Sequence, residues 1–256
     1  MRRDWQRDEL LLVFHLYCRL PFGKLHKSNP DIIELAKVIG RTPSAVAMKA
    51  CNFANLDPAL ERKGLSAVSK SDRLLWDEFR DDSNKIALAA EDLYDKRIEP
   101  VVKEDEIKES AMPVGETESV QNVKVRRVQR FFRNSVIVSY ENRCAISGIQ
   151  LPHLLIASHI IPWKDSVERR ADPSNGISLN GLYDKAFDKG YITFDEQWRV
   201  CIATDLKAHF DDSEMSEKLL NIEGVRLSMP TRFLPDPEAM SYHRLKIFEK
   251  AYRTSY

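Results

Sequence analysis

The stretch from Ile98 to Asn122 constrains the chain most, because few of its residues could pack against anything. It runs through Glu99-Pro100, the charged run Lys103-Glu104-Asp105-Glu106, and then Met112-Pro113-Val114-Gly115-Glu116-Thr117-Glu118-Ser119. A segment with so little apolar surface cannot offset the entropy of ordering it. It reads as a linker, 98–122, between a first unit at 1–97 and a second at 123–256. With 43% apolar content, 256 residues suffice for one large core or two modest ones.

The first unit reads as helical. Asp8 to Leu20 carries Leu11, Leu12, Phe14, Leu16 and Leu20 on more than one face, the mark of a buried helix. Asp31 to Ile39 is a second helix, opened by Asn29-Pro30-Asp31 and stopped by Gly40. Thr42 caps a third with Pro43 at its first position, and Val46, Ala50 and Phe53 form its inward face. Two short helices joined by Gly40-Arg41-Thr42 have a helix-turn-helix layout. The expected outward positions are Arg41, Ser44, Met48, Lys49 and Asn52, types that contact phosphates and base edges. The same residues would equally serve as the solvated face of a plain helical bundle. Ser71 to Phe79 and Lys85 to Arg97 read as further helices.

The second unit opens with a basic amphipathic helix, Val125 to Tyr140. Its Arg126, Arg127, Arg130 and Arg133 suit a nucleic-acid backbone, or simply a polar outer face. Cys144 to Ile149 and Leu154 to His159 are short apolar runs around Gly148 and Pro152, which predicts a hairpin. A loop at Pro162 to Ser174 and a helix at Gly181 to Lys189, stopped by Gly190, follow. Tyr191 to Phe194 and Trp198 to Ala203 form a second hairpin turning at Asp195-Glu196-Gln197, and Pro237 to Tyr252 is a last helix. Helices first, then strands with helices, make the class α+β.

Net charge is zero, but it is unevenly spread. Residues 1–80 hold 14 basic against 10 acidic side chains, and residues 121–190 hold 11 against 6. Residues 81–120 hold 5 against 12, so an acidic block separates two basic ones. Binding depends on such local patches more than on the total. The four cysteines, Cys18, Cys51, Cys144 and Cys201, make no Cys-x-x-Cys pair, so neither a structural zinc site nor a disulfide framework is expected. No apolar run approaches a membrane span, and Met1-Arg2-Arg3-Asp4-Trp5 does not begin a signal peptide. The expected location is the cytoplasm.

One polar constellation carries chemistry. His159 ends the apolar run Leu154 to Ile161, and Asn175 follows in the turn-rich Asp172-Pro173-Ser174 loop. Asp184 and Asp188 lie four residues apart, on one face of the expected helix. Two such carboxylates repel unless a cation or a basic residue sits between them. Mg²⁺ is held by one or two carboxylates and takes phosphate oxygens in its other positions. Lys185 or Lys189 could instead pair with Asp188. A lone His in an apolar strand is ordinarily a satisfied core residue, but a neutral imidazole facing a cleft takes a proton from water. Asn175 could orient the His, tie the loop to the strand, or be an ordinary turn residue before Gly176.

In order, Arg143-Cys144-Ala145-Ile146-Ser147-Gly148, Ala157-Ser158-His159-Ile160-Ile161-Pro162-Trp163, Asp172-Pro173-Ser174-Asn175-Gly176-Ile177 and Phe187-Asp188-Lys189-Gly190-Tyr191-Ile192 resemble the HNH endonucleases, close to the branch found in prokaryotic restriction-type proteins. The resemblance spans Val125 to Ile202, about a third of the chain. It implies a ββα-metal nuclease unit, a β-hairpin, loop and helix around one divalent cation, Mg²⁺ or Mn²⁺ or another. It implies His159 as general base and Asn175 as the middle Asn of the motif. The third His is missing. Asp184 takes its metal-ligand role, with Asp188 as second ligand or His159 itself touching the metal. Ser158 stands where relatives often carry an acidic or imidazole residue, and the paired zinc cysteines of some relatives are absent. The implied partner is double-stranded DNA, cut to 5′-phosphate and 3′-hydroxyl ends. Cutting both strands needs two sites, hence a homodimer. The helical first unit would bring the nuclease to a sequence or a modified base, in restriction or defence. His243 and Arg244, in a tail similar to that of this branch, face either the phosphate or solvent. The competing class is a DNA-binding regulator that keeps a degenerate, inactive nuclease fold.

Overall fold

The computed structural model describes residues 3–60, 68–98, 116–204 and 214–248. The fold is α+β. Five helices come first: α1 (Arg7–Arg19), α2 (Pro30–Ile39), α3 (Pro43–Leu56), α4 (Lys70–Asp81) and α5 (Ser83–Arg97). A long helix, α6 (Glu116–Ser139), leads into β1 (Leu155–His159), β2 (Gly176–Asn180), α7 (Gly181–Asp188), β3 (Ile192–Phe194), β4 (Val200–Ile202), α8 (Glu214–Leu220) and α9 (Pro237–Lys246). Among the described residues no helix is long and apolar enough to cross a membrane.

The first helices form where their caps place them. Asn29 accepts a hydrogen bond from the Asp31 N–H ahead of Pro30, and Gly40 ends α2 in the left-handed region at φ +65°. Thr42 accepts from the Ala45 N–H and opens α3. Helix α1 is buried nearly all round and packs against α2 to α6. Its Phe14 meets Phe79 and Phe53 edge-on, at centroid distances of 4.8 and 5.2 Å.

The expected outward face of α3 is corrected here. Met48 and Ser44 are exposed, but Lys49 and Asn52 are buried. Lys49 Nζ bonds both carboxylate oxygens of Asp72 on α4, at 2.8 and 3.0 Å, and Asn52 Nδ2 approaches the same group. Asp72 also accepts from the Ser69 N–H, so one buried carboxylate caps α4 and binds α3. Packing α4 across α3 covers the positions that an isolated helix would give to solvent. Arg41 is engaged too, bonded to Glu9 at 2.8 Å and lying over the Trp5 ring at 4.2 Å.

Helix α6 starts at Glu116, so residues 116–122, expected within the linker, are its first turns. The rest of the expected linker, 99–115, lies outside the described residues. Two apolar cores flank this helix. Val128 and Phe131 join the core of the first five helices, whereas Phe132, Val136, Ile137 and Tyr140 join that of the strands, α7 and α9.

The first hairpin is also corrected. Cys144–Ile149 is a turn, closed by the Cys144 N–H to the Ile149 carbonyl and by Gly148 at φ +71°. The partner of β1 is β2, antiparallel, in a register that sets His159 opposite Gly176. The connection, 160–175, is the long loop. The second hairpin, β3 with β4, turns where expected, with the Asp195 carboxylate accepting from the Gln197 and Arg199 N–H groups. Helix α9 ends at Lys246, and the end of the expected helix at Tyr252 lies outside the described residues.

Two substitutions test this packing. Lys49→Met leaves Asp72 buried without its cation, and should cost about 3–5 kcal/mol of unfolding free energy in a urea titration. A Cβ at Gly176 would meet Phe132 Cζ at 2.8 Å and, more tightly still, Val136 Cγ2. Gly176→Ala should therefore cost about 1–3 kcal/mol in the same measurement.

Candidate functional site

The site is assembled by β1, the 160–175 loop and α7. Because β1 pairs with β2 and α7 begins at once after β2, the end of one strand and the flank of the helix share one wall. Asn180 makes that junction, its Oδ1 accepting from the Leu182 and Tyr183 N–H groups at 3.1 and 3.0 Å. The helix stops at Gly190, φ +69°, as expected. The result is a cleft of about 760 Å³ lined by Ser158, His159, Trp163, Asp184 and Asp188, among others. Three expected site residues, from β1 and from α7, thus face one space.

The His159 ring lies flat on Phe132, with centroids 3.7 Å apart at 11°, and meets Trp163 edge-on at 5.6 Å. Its Nε2 is 3.0 Å from the Arg170 carbonyl oxygen. A carbonyl can only accept, so Nε2 carries the hydrogen and Nδ1 keeps the lone pair. Burial lowers the imidazole pKa below its usual value, the Arg170 carbonyl opposes this, and the Arg170 charge adds to it. The ring is neutral at pH 7, the state a proton acceptor needs.

Asn175 does not touch His159. It is 1% exposed, with Oδ1 accepting from the Ile161 N–H at 2.8 Å and Nδ2 donating to the Ile161 carbonyl at 3.1 Å. Its own carbonyl accepts from the Ile160 N–H. It therefore ties the end of the loop to the chain leaving β1, one of the roles its sequence allowed.

The two acids are unevenly placed. Asp184 is half-buried, and burial raises its pKa, while the Ser158 hydroxyl and Lys185 pull it down. Asp188 is more open. Desolvation within the cleft wall and then the Asp184 charge one turn away raise its pKa, against Lys185 and Lys189. The Ser158 hydroxyl is buried close enough to Asp184 to lower its pKa, but closes no hydrogen bond of full geometry. A pair of carboxylates under mutual repulsion, with a free hydroxyl oxygen nearby, is an oxygen donor set that suits a hard cation. Among the described residues no three His, Cys, Asp or Glu side chains gather as a metal cage. The set fits an ion held by two carboxylates and otherwise by water and substrate, not one enclosed by protein.

The expected cationic contacts lie elsewhere. Arg127 pairs with Asp92 at 3.0 Å and Asp95 at 2.9 Å, and Arg130 reaches Glu91 and Asp95, so α6 uses them to grip α5. Arg133 donates to the Leu155 and Pro152 carbonyls. Arg126 is exposed. Four exposed lysines, Lys164, Lys185, Lys189 and Lys246, line the cleft instead. Lys185 and Lys189 follow the two acids along α7 and were legible as a pattern. Lys246 comes from α9 and Lys164 from the loop, and no local signal unites them.

His243 is neither at a phosphate nor on a solvated face. It is buried, its ring stacked on Phe187 at 3.7 Å, with Nε2 donating to the Phe187 carbonyl and Nδ1 accepting from Thr193 Oγ1 at 2.9 Å. It pins the last turn of α7 to β3. Arg244 donates to the Phe194 carbonyl.

Residues 144–195 match the family model described as HNH endonuclease. No curated protein matches the chain.

Burial lowers the His243 pKa to about 4. The unfolded state, titrating near 6.5, takes up the proton first, so this contribution is full above pH 6.5 and is lost as pH falls towards 4. The unfolding free energy should fall by about 3 kcal/mol over that window on this account. His243→Phe, which keeps a ring on Phe187, should remove that part of the pH dependence in urea titrations at stepped pH.

Proposed function

With residues 144–195 belonging to the HNH endonuclease family, we propose that the chain hydrolyses phosphodiester bonds of double-stranded DNA in the His159 cleft, using a divalent cation, Mg²⁺ or Mn²⁺. The observation that carries this reading is the juxtaposition in one cleft of a neutral imidazole with a free Nδ1 and two carboxylates under mutual repulsion.

His159 Nδ1 takes a proton from water, and the resulting hydroxide oxygen attacks phosphorus. The P–O3′ bond breaks opposite, and its electron pair leaves on O3′, which is protonated from solvent. The products are a 5′-phosphate and a 3′-hydroxyl. Asp184 and Asp188 would hold the cation, with Ser158 beside them in the place of a stronger ligand. When bound, that ion supplies charge stabilisation to the phosphate and the leaving oxygen. The stack on Phe132 and the bond to the Arg170 carbonyl keep the imidazole in the required tautomer. Asn175, buried, positions the loop and does not meet substrate. Lys164, Lys185, Lys189 and Lys246 supply positive charge along the cleft for the strand.

Around this centre, the reading keeps units 1–97 and 123–256, with the helical unit and the exposed Ser44 and Arg126 meeting the duplex. The α2–α3 pair keeps a helix-turn-helix sequence layout. Lys49 and Asn52 take no part, being occupied with Asp72. Cutting both strands calls for a homodimer, and the branch resemblance favours a role in restriction or defence. A DNA-binding regulator with an inactive nuclease fold is the second reading, favoured by Ser158 and by the lack of a three-group metal cage among the described residues.

Incubation of supercoiled plasmid with Mg²⁺ or Mn²⁺, with and without chelator, separates the two. Cleavage should require the cation, and His159→Ala should slow it by roughly 10²–10⁴-fold, the usual worth of a general base, without loss of DNA binding. Binding without any cation-dependent cleavage favours the regulator.

A further inference from the structure

The peptide group between Arg170 and Ala171 has two partners on opposite sides. Its carbonyl oxygen accepts from His159 Nε2 at 3.0 Å, and its N–H donates to Asn84 Oδ1 at 2.9 Å. Asn84 belongs to the first turn of α5, in the helical unit, 75 residues before His159 in sequence. Its Nδ2 also donates to the Val167 carbonyl, and Ser83 Oγ donates to the Glu168 carbonyl at 3.0 Å. The two partners of Asn84 fix its amide orientation, because an N–H needs the oxygen and a carbonyl needs the nitrogen. Ala171 is fully buried within the core of the first helices, so the loop is held there by packing as well.

We propose that Asn84 is a positioning residue for the general base: through the Arg170–Ala171 peptide group it holds the acceptor that keeps the hydrogen of His159 on Nε2 and the lone pair on Nδ1. This rests on the reading of His159 given above. It makes the helical unit part of the catalytic apparatus and not only a surface that meets DNA. A peptide group is planar and rigid, so fixing its N–H fixes the direction of its carbonyl. Without Asn84 the peptide plane loses the bond that sets its tilt, and the imidazole then exchanges between tautomers, only one of which can take the proton of water. Outer partners that orient metal-ligating groups are typically worth 10- to 100-fold in activity, and an effect of about that order is expected for a residue that orients the base through one peptide group.

The test uses the full chain. Asn84→Ala should lower kcat by roughly 10–100-fold with little change in KM for DNA, since substrate contacts remain. Asn84→Asp, which keeps the acceptor for the Ala171 N–H but sets a carboxylate oxygen against the Val167 carbonyl, should recover part of that loss. In spectra of ¹⁵N-labelled protein, wild-type His159 should show a protonated Nε2 and an unprotonated Nδ1. In Asn84→Ala the two nitrogen shifts should converge, and the Ala171 amide should lose protection from hydrogen exchange. Wild-type kcat and wild-type shifts in Asn84→Ala overturn the proposal, and so does an Asn84→Asp as slow as Asn84→Ala. Should Asn84→Ala not fold, the wild-type spectra still decide: an unprotected Ala171 amide, or a hydrogen on Nδ1, overturns it. His159→Ala is assayed beside them. Undiminished cleavage there removes His159 as the base, whereas loss of cleavage there with an unaffected Asn84→Ala removes only the role of Asn84.

Discussion

Phe131 and Phe132 are neighbours in sequence and belong to different cores. Successive residues on a helix point about 100° apart, so an adjacent aromatic pair on α6 can face two sides at once. Phe131 packs near Phe79 and His15 among the first helices, at 5.9 and 6.2 Å, while Phe132 lies flat beneath His159 at 3.7 Å. The helix is thus a wall common to both halves, and His159 sits directly on it. The 160–175 loop closes the same connection from the other side, with Ala171 in the first core and Asn175 bonded beside β1. His159 is therefore held from below by one half and, through the Arg170 carbonyl, from above by a loop that the other half grips.

The charges make sense on this frame. The arginines of α6 look like a nucleic-acid surface in sequence, yet Arg127 and Arg130 are matched by Asp92, Asp95 and Glu91 of α5. That block belongs to the acidic stretch that separates the two basic ones, and folding brings acidic and basic blocks together. What remains unmatched by this pairing is the cleft, where two acids with raised pKa values stand among four exposed lysines. Zero net charge therefore says little about any one surface, because pairing inside the fold leaves the cleft with its own local charges.

Helix caps and stops are legible in the sequence because their cause is local. Asn29 and Thr42 bond N–H groups two or three residues on, and Gly40 and Gly190 take a left-handed conformation that other residues adopt reluctantly. Such effects need no distant partner. The spacing of Asp184 and Asp188 on α7 is of the same kind. Where the structure departs from the expectations, distant partners are involved, at Cys144–Ile149 together with a local bend. Cys144–Ile149 is apolar enough for a strand, but Gly148 bends it, and the Ala145 N–H bonds Ser178 on the far side of the β-pair. Gly176–Asn180 is short and carries no turn signal of its own to mark it as the true partner of β1. Lys49 has the spacing of an outward residue on α3 until α4 lies over it.

The sequence by itself determined which residue types stand at the ends of several helices, that an imidazole, an amide and two carboxylates follow one another at nuclease-like intervals, and that the four cysteines make no Cys-x-x-Cys pair. Tertiary structure alone decided which cations are spent inside and which face the cleft, which strand pairs with β1, and that Asn84 reaches the loop of His159. The physical reason is range. Caps and helix faces are settled by bonds spanning a few residues. Burial, ion pairing and a shared peptide group depend on segments far apart in the chain, brought together only when both cores form on α6.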